Sequence, residues 1–238
     1  MSPRIASALF SILFATLAVS TARANLEIEW VSSDDERVAL FEQALHQSGM
    51  VQDAASLGET PLDWPDALTI VAGGAGSPHY DPSSQTIYLP ATYLAEAVRA
   101  QDNFEESRQN ALKSGLDMVE YTLYHLLGQA VVGEQVDSVD PAVEDASTWL
   151  MVSSFPNGGE QWLANLRAFA RASQKLDGPL SEYWHSHALY RLREKQLNCL
   201  VFGSNIAHFA NLYPGVSENP DAAQACVEAW QALDRQFR

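Results

Sequence analysis

A histidine and a glutamine, His125 and Gln129, lie four residues apart in a segment whose apolar residues recur at a helical period. Residues four apart share one face of a helix. Two histidines at this spacing can bind one zinc ion, and a glutamate directly after the first can activate a metal-bound water. Here Leu126 stands at the glutamate position and Gln129 at the second histidine position. Taken alone, the pattern favours a hydrogen-bonded structural histidine over a metal ligand.

Two other groups of polar side chains are weaker candidates. Ser147 and His125 would form a nucleophile and its base, but no nucleophile-elbow glycines flank the serine. Gln129 with Tyr121 and Tyr124 would bind a polar ligand. Tyrosines on helices more often pack against other side chains, so we favour a packing role for both tyrosines.

The remaining histidines have no companion at metal-binding spacing. His185 and His187 are two residues apart on a predicted helix, so their side chains diverge. His46, His79 and His208 stand alone, and we expect them to have structural or surface roles. Their spacing therefore does not indicate a complete zinc site.

A small sheet followed by helices is predicted to position these residues. Alternating apolar and polar residues predict a strand at 26–31, and further strands are predicted at 67–72, 79–80 and 85–89, the last two joined by an Asp-Pro turn. Helical periodicity and capping residues predict helices at about 34–46, 51–57, 91–100, 104–132, from 140 past 149, 160–174, 184–202 and 221–237. Strands first and helices after indicate an α+β fold.

Residues 1–24 have the layout of a secretory signal peptide. Arg4 precedes an apolar run, and the segment ends in Ala-Arg-Ala at 22–24. The run is shorter than the ~20 apolar residues that a bilayer crossing needs, which disfavours a membrane anchor. We expect cleavage after Ala24, a periplasmic or secreted protein without stable membrane insertion, and a single domain over 25–238.

The chain is strongly acidic, with a formal net charge of −16 at pH 7. Such a surface repels phosphate backbones and anionic lipid headgroups. Nucleic acid and membrane surfaces are therefore not expected partners, and we interpret the charge as favouring solubility.

Two cysteines, Cys199 and Cys226, both lie near the C-terminus. An even number of cysteines in an oxidising compartment favours a disulfide, here between two consecutive predicted helices. A metal-binding pair and two free thiols are the alternatives, but the spacing matches no zinc-site signature.

Several segments, taken in order, resemble a bacterial family of putative zincin-like metallopeptidases. The first two look like its sheet region, and the third is similar to its helix motif His-Glu-x-Gly-His-Ala: Pro78-x-Tyr80-Asp81-Pro82, Thr86-Ile87-Tyr88-Leu89 and His125-x-x-Gly128. Three later segments resemble its Glu-Asp-Ala-Ala-Asp segment, a stretch ending in Cys-x-x-Tyr-Gly and a closing Cys-x-x-Glu: Glu144-Asp145-Ala146, the residues His187, Arg193, Asn198, Cys199 and Phe202-Gly203, and Ala225-Cys226-x-Glu228. The likeness spans nearly all of 25–238 and implies a zincin-like α+β fold.

The departures from the family pattern fall at the positions that would do chemistry. Leu126 replaces the motif glutamate, Gln129 the second histidine and Thr148 the last aspartate of the acidic segment. The resemblance leaves His125 and Glu144 as vestigial metal ligands. A catalytic zinc site uses three protein ligands and an open position, so two ligands would bind zinc weakly.

The resemblance also bears on three residues of the C-terminal part. It implies that His187 lines the same cleft as the vestigial metal ligands. Cys199 and Cys226 both fall on family cysteines, which strengthens the prediction of a disulfide.

These inferences predict an exported metallopeptidase-like pseudoenzyme without a resident cofactor. It would bind an unidentified protein or peptide in the vacated cleft, or act as a scaffold. One alternative is an active zinc metallopeptidase with altered ligands, using His125, Glu144 and His187. The other is an unrelated helical envelope protein with a chance likeness.

Overall fold

The computed structural model describes residues 25–60, 62, 64–102, 107–133, 140–172 and 190–238. The predicted signal peptide, residues 1–24, lies outside this part of the chain. The described residues form a small N-terminal sheet followed by helices, which confirms the predicted α+β class.

The sheet is mixed, and its four strands in the described residues are β1 (Asn25–Val31), β2 (Ala67–Gly73), β3 (His79–Asp81) and β4 (Thr86–Leu89). Their spatial order is β1-β2-β4-β3, with β1, β2 and β4 parallel and β3 antiparallel to β4. Along β2, buried and partly exposed residues alternate, as expected of a strand with one face on the core. All four strands were predicted from the sequence.

The predicted Asp-Pro turn joins β3 to β4. Asp81 Oδ1 accepts hydrogen bonds from the Ser83 backbone N–H at 2.9 Å and its hydroxyl at 2.7 Å, and Oδ2 accepts one from the Ser84 hydroxyl at 2.9 Å. These bonds, with that from the Ser83 hydroxyl the strongest, lower the pKa of Asp81. The ionised carboxylate thus fixes the turn.

The helices in the described residues largely follow the predicted pattern. Their bounds are α1 (Glu36–Ser48), α2 (Met50–Ser56), α3 (Ala91–Asp102), α4 (Arg108–Val132), α5 (Pro141–Ser154), α6 (Gly158–Ala172), α7 (Tyr190–Ser204), α8 (Ile206–Phe209), α9 (Pro214–Ser217) and α10 (Pro220–Phe237). Local caps set several starts: the Asp140 carboxylate accepts the Ala142 N–H, and Pro141 occupies the first helical position. The short helices α8 and α9 were not predicted.

The central element is α4, which packs against α3, α5 and α6. Its residues 121–128 are buried without a break, so the helix is covered around its whole circumference over that stretch. Two glycines bring the neighbouring helices close. A Cβ at Gly115 would press against Val98 of α3, and one at Gly128 would collide with the Ser147 hydroxyl and the Val143 carbonyl of α5.

A disulfide joins Cys199 of α7 to Cys226 of α10, which confirms the predicted pairing. The two helices cross closely there, as the position of Gly203 shows. A Cβ at this residue would collide with the Cys226 backbone. Across the part of the chain that the structure describes, no helix combines the length and apolarity needed to cross a bilayer.

Candidate functional site

The side chains of Tyr121, His125 and Glu144 meet between α4 and α5. Tyr121 and His125 are one helical turn apart on α4, and Glu144 lies in the first turn of α5. The Tyr121 hydroxyl donates a hydrogen bond to Glu144 Oε1 at 2.8 Å. His125 Nδ1 lies 3.0 Å from the same oxygen, within ion-pair distance but without the alignment of a linear hydrogen bond. Both vestigial ligands therefore face each other.

The site is closed to solvent in the described part of the structure. Tyr121 and His125 are fully buried, and Glu144 is 7% exposed. The Tyr121 ring contacts His125, Trp162 and Phe169, with centroid separations of 6.2, 5.1 and 4.5 Å. An aromatic surrounding of this kind lowers the local dielectric constant and strengthens each polar contact inside it.

The position of Glu144 near the start of a helix also favours its charge. The unpaired N–H groups of a first helical turn carry partial positive charge, which stabilises a carboxylate there. Glu144 has the Tyr121 hydroxyl as donor and the imidazole of His125 beside it. The buried Glu144 carboxylate therefore has two polar neighbours at one oxygen, Oε1.

The approach of α5 to α4 depends on Gly128, one turn along α4 from Tyr124. Because glycine has no Cβ, the Ser147 hydroxyl and the Val143 carbonyl can lie directly against it. The Ser147 hydroxyl donates to Val143 O at 2.6 Å, and the Thr148 hydroxyl donates to Glu144 O at 2.8 Å. Both hydroxyls thus bond within α5, an arrangement that gives Ser147 no support as a nucleophile.

The two positions that depart from the family motif have different surroundings. Leu126 is 1% exposed and belongs to the hydrophobic core. Gln129 is partly buried, and within the described ranges its side chain makes no hydrogen bond to His125 or Glu144. The structure therefore brings His125 and Glu144 together, and Gln129 does not join them.

The donor set does not fit a catalytic zinc ion in the part of the chain that the structure describes. Such an ion needs three protein ligands converging on one point. Among the described residues, no group of three His, Cys, Asp or Glu side chains is placed to hold a metal. His187, implied as a cleft residue, lies outside the described residues, as does His185.

The other histidines have local contacts. The His46 ring lies 4.7 Å from the Trp30 ring, and the His79 ring stacks on Tyr88 at 4.6 Å. His208 Nε2 lies 2.8 Å from Glu160 Oε1 on the surface. These contacts agree with the structural and surface roles expected from the sequence.

A second polar cluster on α4 was missed as a candidate site. Glu120 Oε2 accepts hydrogen bonds from Gln161 Nε2 at 2.7 Å and Asn165 Nδ2 at 3.0 Å, both on α6. Burial raises the pKa of Glu120. Burial, followed by the charges of Glu120 and Asp53, also raises the pKa of Tyr124, so its hydroxyl stays protonated. The sequence feature that could have indicated this cluster is an acidic residue beside the apolar residues of α4.

Comparison with known protein families identifies the family of this chain. The profile of a family described as putative metallopeptidase matches residues 30–238. The chain belongs to this family. The match covers nearly all of the described residues, so the alternative of an unrelated helical protein with a chance likeness is wrong. No curated protein and no solved structure matches the chain.

Membership of the putative metallopeptidase family explains the order of the motifs in the chain. The family resemblance implied His125 and Glu144 as vestigial metal ligands, and the structure places these two residues in contact. The geometry departs from a metal site because the two side chains contact each other, and Tyr121 binds the same carboxylate oxygen.

Proposed function

We propose that this protein is an exported metallopeptidase homologue that no longer cleaves peptides and that binds or scaffolds a protein or peptide in the cell envelope. The observation that carries the proposal is the burial of Leu126 in the core at the position of the motif glutamate. A metallopeptidase needs a carboxylate there to take the proton from a metal-bound water.

The contribution that a general base makes to the reaction rate supports this proposal. General-base assistance typically contributes about 10²–10⁴-fold to a reaction rate. Leucine cannot accept a proton, and the carboxylate that the described residues place beside His125 is that of Glu144, whose Oε1 already receives the Tyr121 hydroxyl. The loss of both motif residues, Leu126 and Gln129, leaves the fold without its proton acceptor and its second histidine ligand.

Zinc content and hydrolysis measured together test the loss of catalysis. Purified residues 25–238 are analysed for metal by mass spectrometry and assayed on a denatured protein substrate with and without a chelator. We expect far less than one zinc per chain and no chelator-sensitive cleavage. One tightly held zinc per chain, with hydrolysis that the chelator blocks, would overturn the proposal.

The export part of the proposal rests on the layout of residues 1–24 and agrees with the disulfide between Cys199 and Cys226. N-terminal sequencing of the protein recovered from the envelope fraction tests it. We expect the mature chain to begin at Asn25. A chain that keeps Met1 and stays with the cytoplasmic fraction would contradict export.

A second candidate function, an active zinc peptidase with altered ligands, is favoured by the proximity of His125 and Glu144, 3.0 Å apart. It requires His187 as a third ligand. Under this alternative, His125→Ala abolishes both metal retention and cleavage, whereas the surface variant His208→Ala keeps both. Equal zinc content and equal activity of the two variants would exclude the alternative.

A further inference from the structure

A cavity of about 300 Å³ opens beside α4, on the side that carries Glu120. Its lining comes from α2, α4, the last turn of α5, the connection between α5 and α6, and the start of α6. The residues that matter for binding are Asp53, Glu120, Met151, Phe155, Pro156 and Gln161. None of the residues at the His125–Glu144 contact lines it, so it is a separate site.

The charge of this cavity is negative. Among the described residues that line it, Asp53 and Glu120 are charged, and none is a lysine, arginine or histidine. The nearest cation on α4, Lys113, is paired with Asp117 at 2.9 Å. Among the described residues Glu120 has no cationic partner, although a largely buried carboxylate is normally paired with a cation.

The carboxylate of Glu120 is already held in position. Gln161 and Asn165 both donate to its Oε2, and Asn165 is fully buried. The Gln161 amide also lies 2.9 Å from Asn165 Oδ1, which links the two amides. The other carboxylate oxygen of Glu120, Oε1, accepts neither of these hydrogen bonds. A carboxylate fixed in this way loses little side-chain entropy when a ligand binds to its second oxygen.

The rest of the lining distinguishes an organic cation from a metal ion. Met151, Phe155 and Pro156 present apolar surface next to the two acids. Calcium takes six to eight oxygen ligands and magnesium six, whereas the described residues contribute two lining carboxylates, Asp53 and Glu120. An ammonium group on an alkyl stem fits both surfaces, because carboxylates accept its three N–H bonds while carbon atoms pack on the wall. The ring of Phe155 adds a face on which a cation is attracted.

We propose that this cavity binds a primary alkylammonium group, with Glu120 and Asp53 accepting its N–H bonds and Met151, Phe155 and Pro156 contacting its stem. Two sources share this chemistry: a free diamine and the lysine side chain of a peptide or protein. The proposal goes beyond the loss of peptidase activity and stands whether or not the His125 site is active.

Calorimetric titration of residues 25–238 with two probes tests the proposal. The probes are 1,5-diaminopentane and N-acetyl-lysine methylamide, with N-acetyl-norleucine methylamide as the uncharged match. We expect at least one ammonium probe to bind and the norleucine compound not to bind. Preference for the lysine compound identifies a peptide or protein source, and preference for the diamine identifies a free amine.

Two charge-removing variants locate the binding. Glu120→Gln is expected to weaken binding about tenfold or more, and Asp53→Asn, at the exposed mouth, about threefold. Glu228→Gln removes one exposed carboxylate from α10, far from the cavity, and should leave the affinity unchanged at the same ionic strength. If Glu120→Gln fails to fold, Asp53→Asn carries the test. Absence of binding by both ammonium probes, or equal affinity in all variants, would overturn the proposal.

Discussion

Two histidine–glutamate contacts in this protein have nearly the same length and opposite surroundings. His125 and Glu144 lie 3.0 Å apart, with side chains 0% and 10% exposed. His208 and Glu160 lie 2.8 Å apart, with side chains 49% and 54% exposed. In both, the glutamate is in the first turn of a helix. The comparison isolates burial as the variable.

The difference teaches that distance alone does not measure what such a contact contributes. An exposed pair gains little, because water and salt screen the charges and two flexible side chains must be ordered. A buried pair gains more from each contact, but its loss leaves polar atoms that water cannot reach. The buried contact joins the two residues that the family resemblance implied as vestigial ligands, and the Tyr121 hydroxyl binds the same carboxylate oxygen, which favours a structural value.

Removal of each glutamate is the strongest test of this comparison. Glu144→Ala removes the carboxylate that accepts the Tyr121 hydroxyl and lies 3.0 Å from His125 Nδ1, and we expect a loss of about 3–5 kcal/mol in the free energy of unfolding. Glu160→Ala is the matched control, with an expected loss below about 1 kcal/mol. Urea unfolding of both variants measures the difference. Equal losses would show that burial does not separate the two contacts.

Removal of one hydroxyl tests whether Tyr121 belongs to the buried contact. Tyr121→Phe keeps the ring against Trp162 and Phe169 but removes the donor to Glu144. We expect a loss of about 1.5–3 kcal/mol, the range for a hydrogen bond to a charged group. Tyr213→Phe, which removes a hydroxyl donating to Asn198 Oδ1 at 3.1 Å, should cost about 1 kcal/mol. A smaller effect for Tyr121 than for Tyr213 would contradict a contribution of the Tyr121–Glu144 hydrogen bond to stability.

The helix crossing that creates the buried contact can be tested at Gly128. Gly128→Ala places a methyl group against the Ser147 hydroxyl and the Val143 carbonyl, and we expect overpacking to cost about 1–3 kcal/mol. Gly215→Ala is the control, because a Cβ there has no neighbour within 4 Å. Thermal unfolding compares them. Similar melting temperatures for the two variants would mean that α5 can move away from α4 without loss.

Glu120 provides a third carboxylate and the smallest expected effect. Its pKa is raised above the usual 4.5 in the folded protein, mainly by burial. The folded state therefore holds this proton more tightly than the unfolded state, so stability is lost as pH rises above 4.5. Glu120→Gln removes that loss, and the variant should gain stability relative to the natural chain between pH 4 and pH 7. If the free energy of unfolding changes with pH in the same way in the variant and in the natural chain, the raised pKa of Glu120 is contradicted.

Much of the fold could be predicted because it follows local patterns. Alternation along 26–31 predicted β1, and the Asp140-Pro141 pair marked the start of α5. The short helices α8 and α9 were missed. Each spans four residues, which is too few to show a helical period, although Asn205 and Pro214 carry the capping signals.

The candidate site could be predicted only in part. The meeting of His125 with Glu144 followed from the family resemblance, whereas the role of Tyr121 did not. Periodicity fails on α4 because residues 121–128 are buried on all sides, so no exposed face marks the polar contacts. The four-residue step from Tyr121 to His125 was the available clue. Glu120 was missed because its partners on α6 are distant in sequence.

The disulfide gives the two histidine–glutamate contacts different dependence on oxidation. The Cys199–Cys226 bond closes a loop that contains α8, and therefore His208, while His125 and Glu144 lie outside it. Reduction releases that loop and enlarges the ensemble available to its residues. Reduction of the disulfide should therefore affect the His208–Glu160 contact, and the His125–Glu144 contact serves as the control. Protein prepared in a reducing cytoplasm would differ first on the α8 side of the molecule.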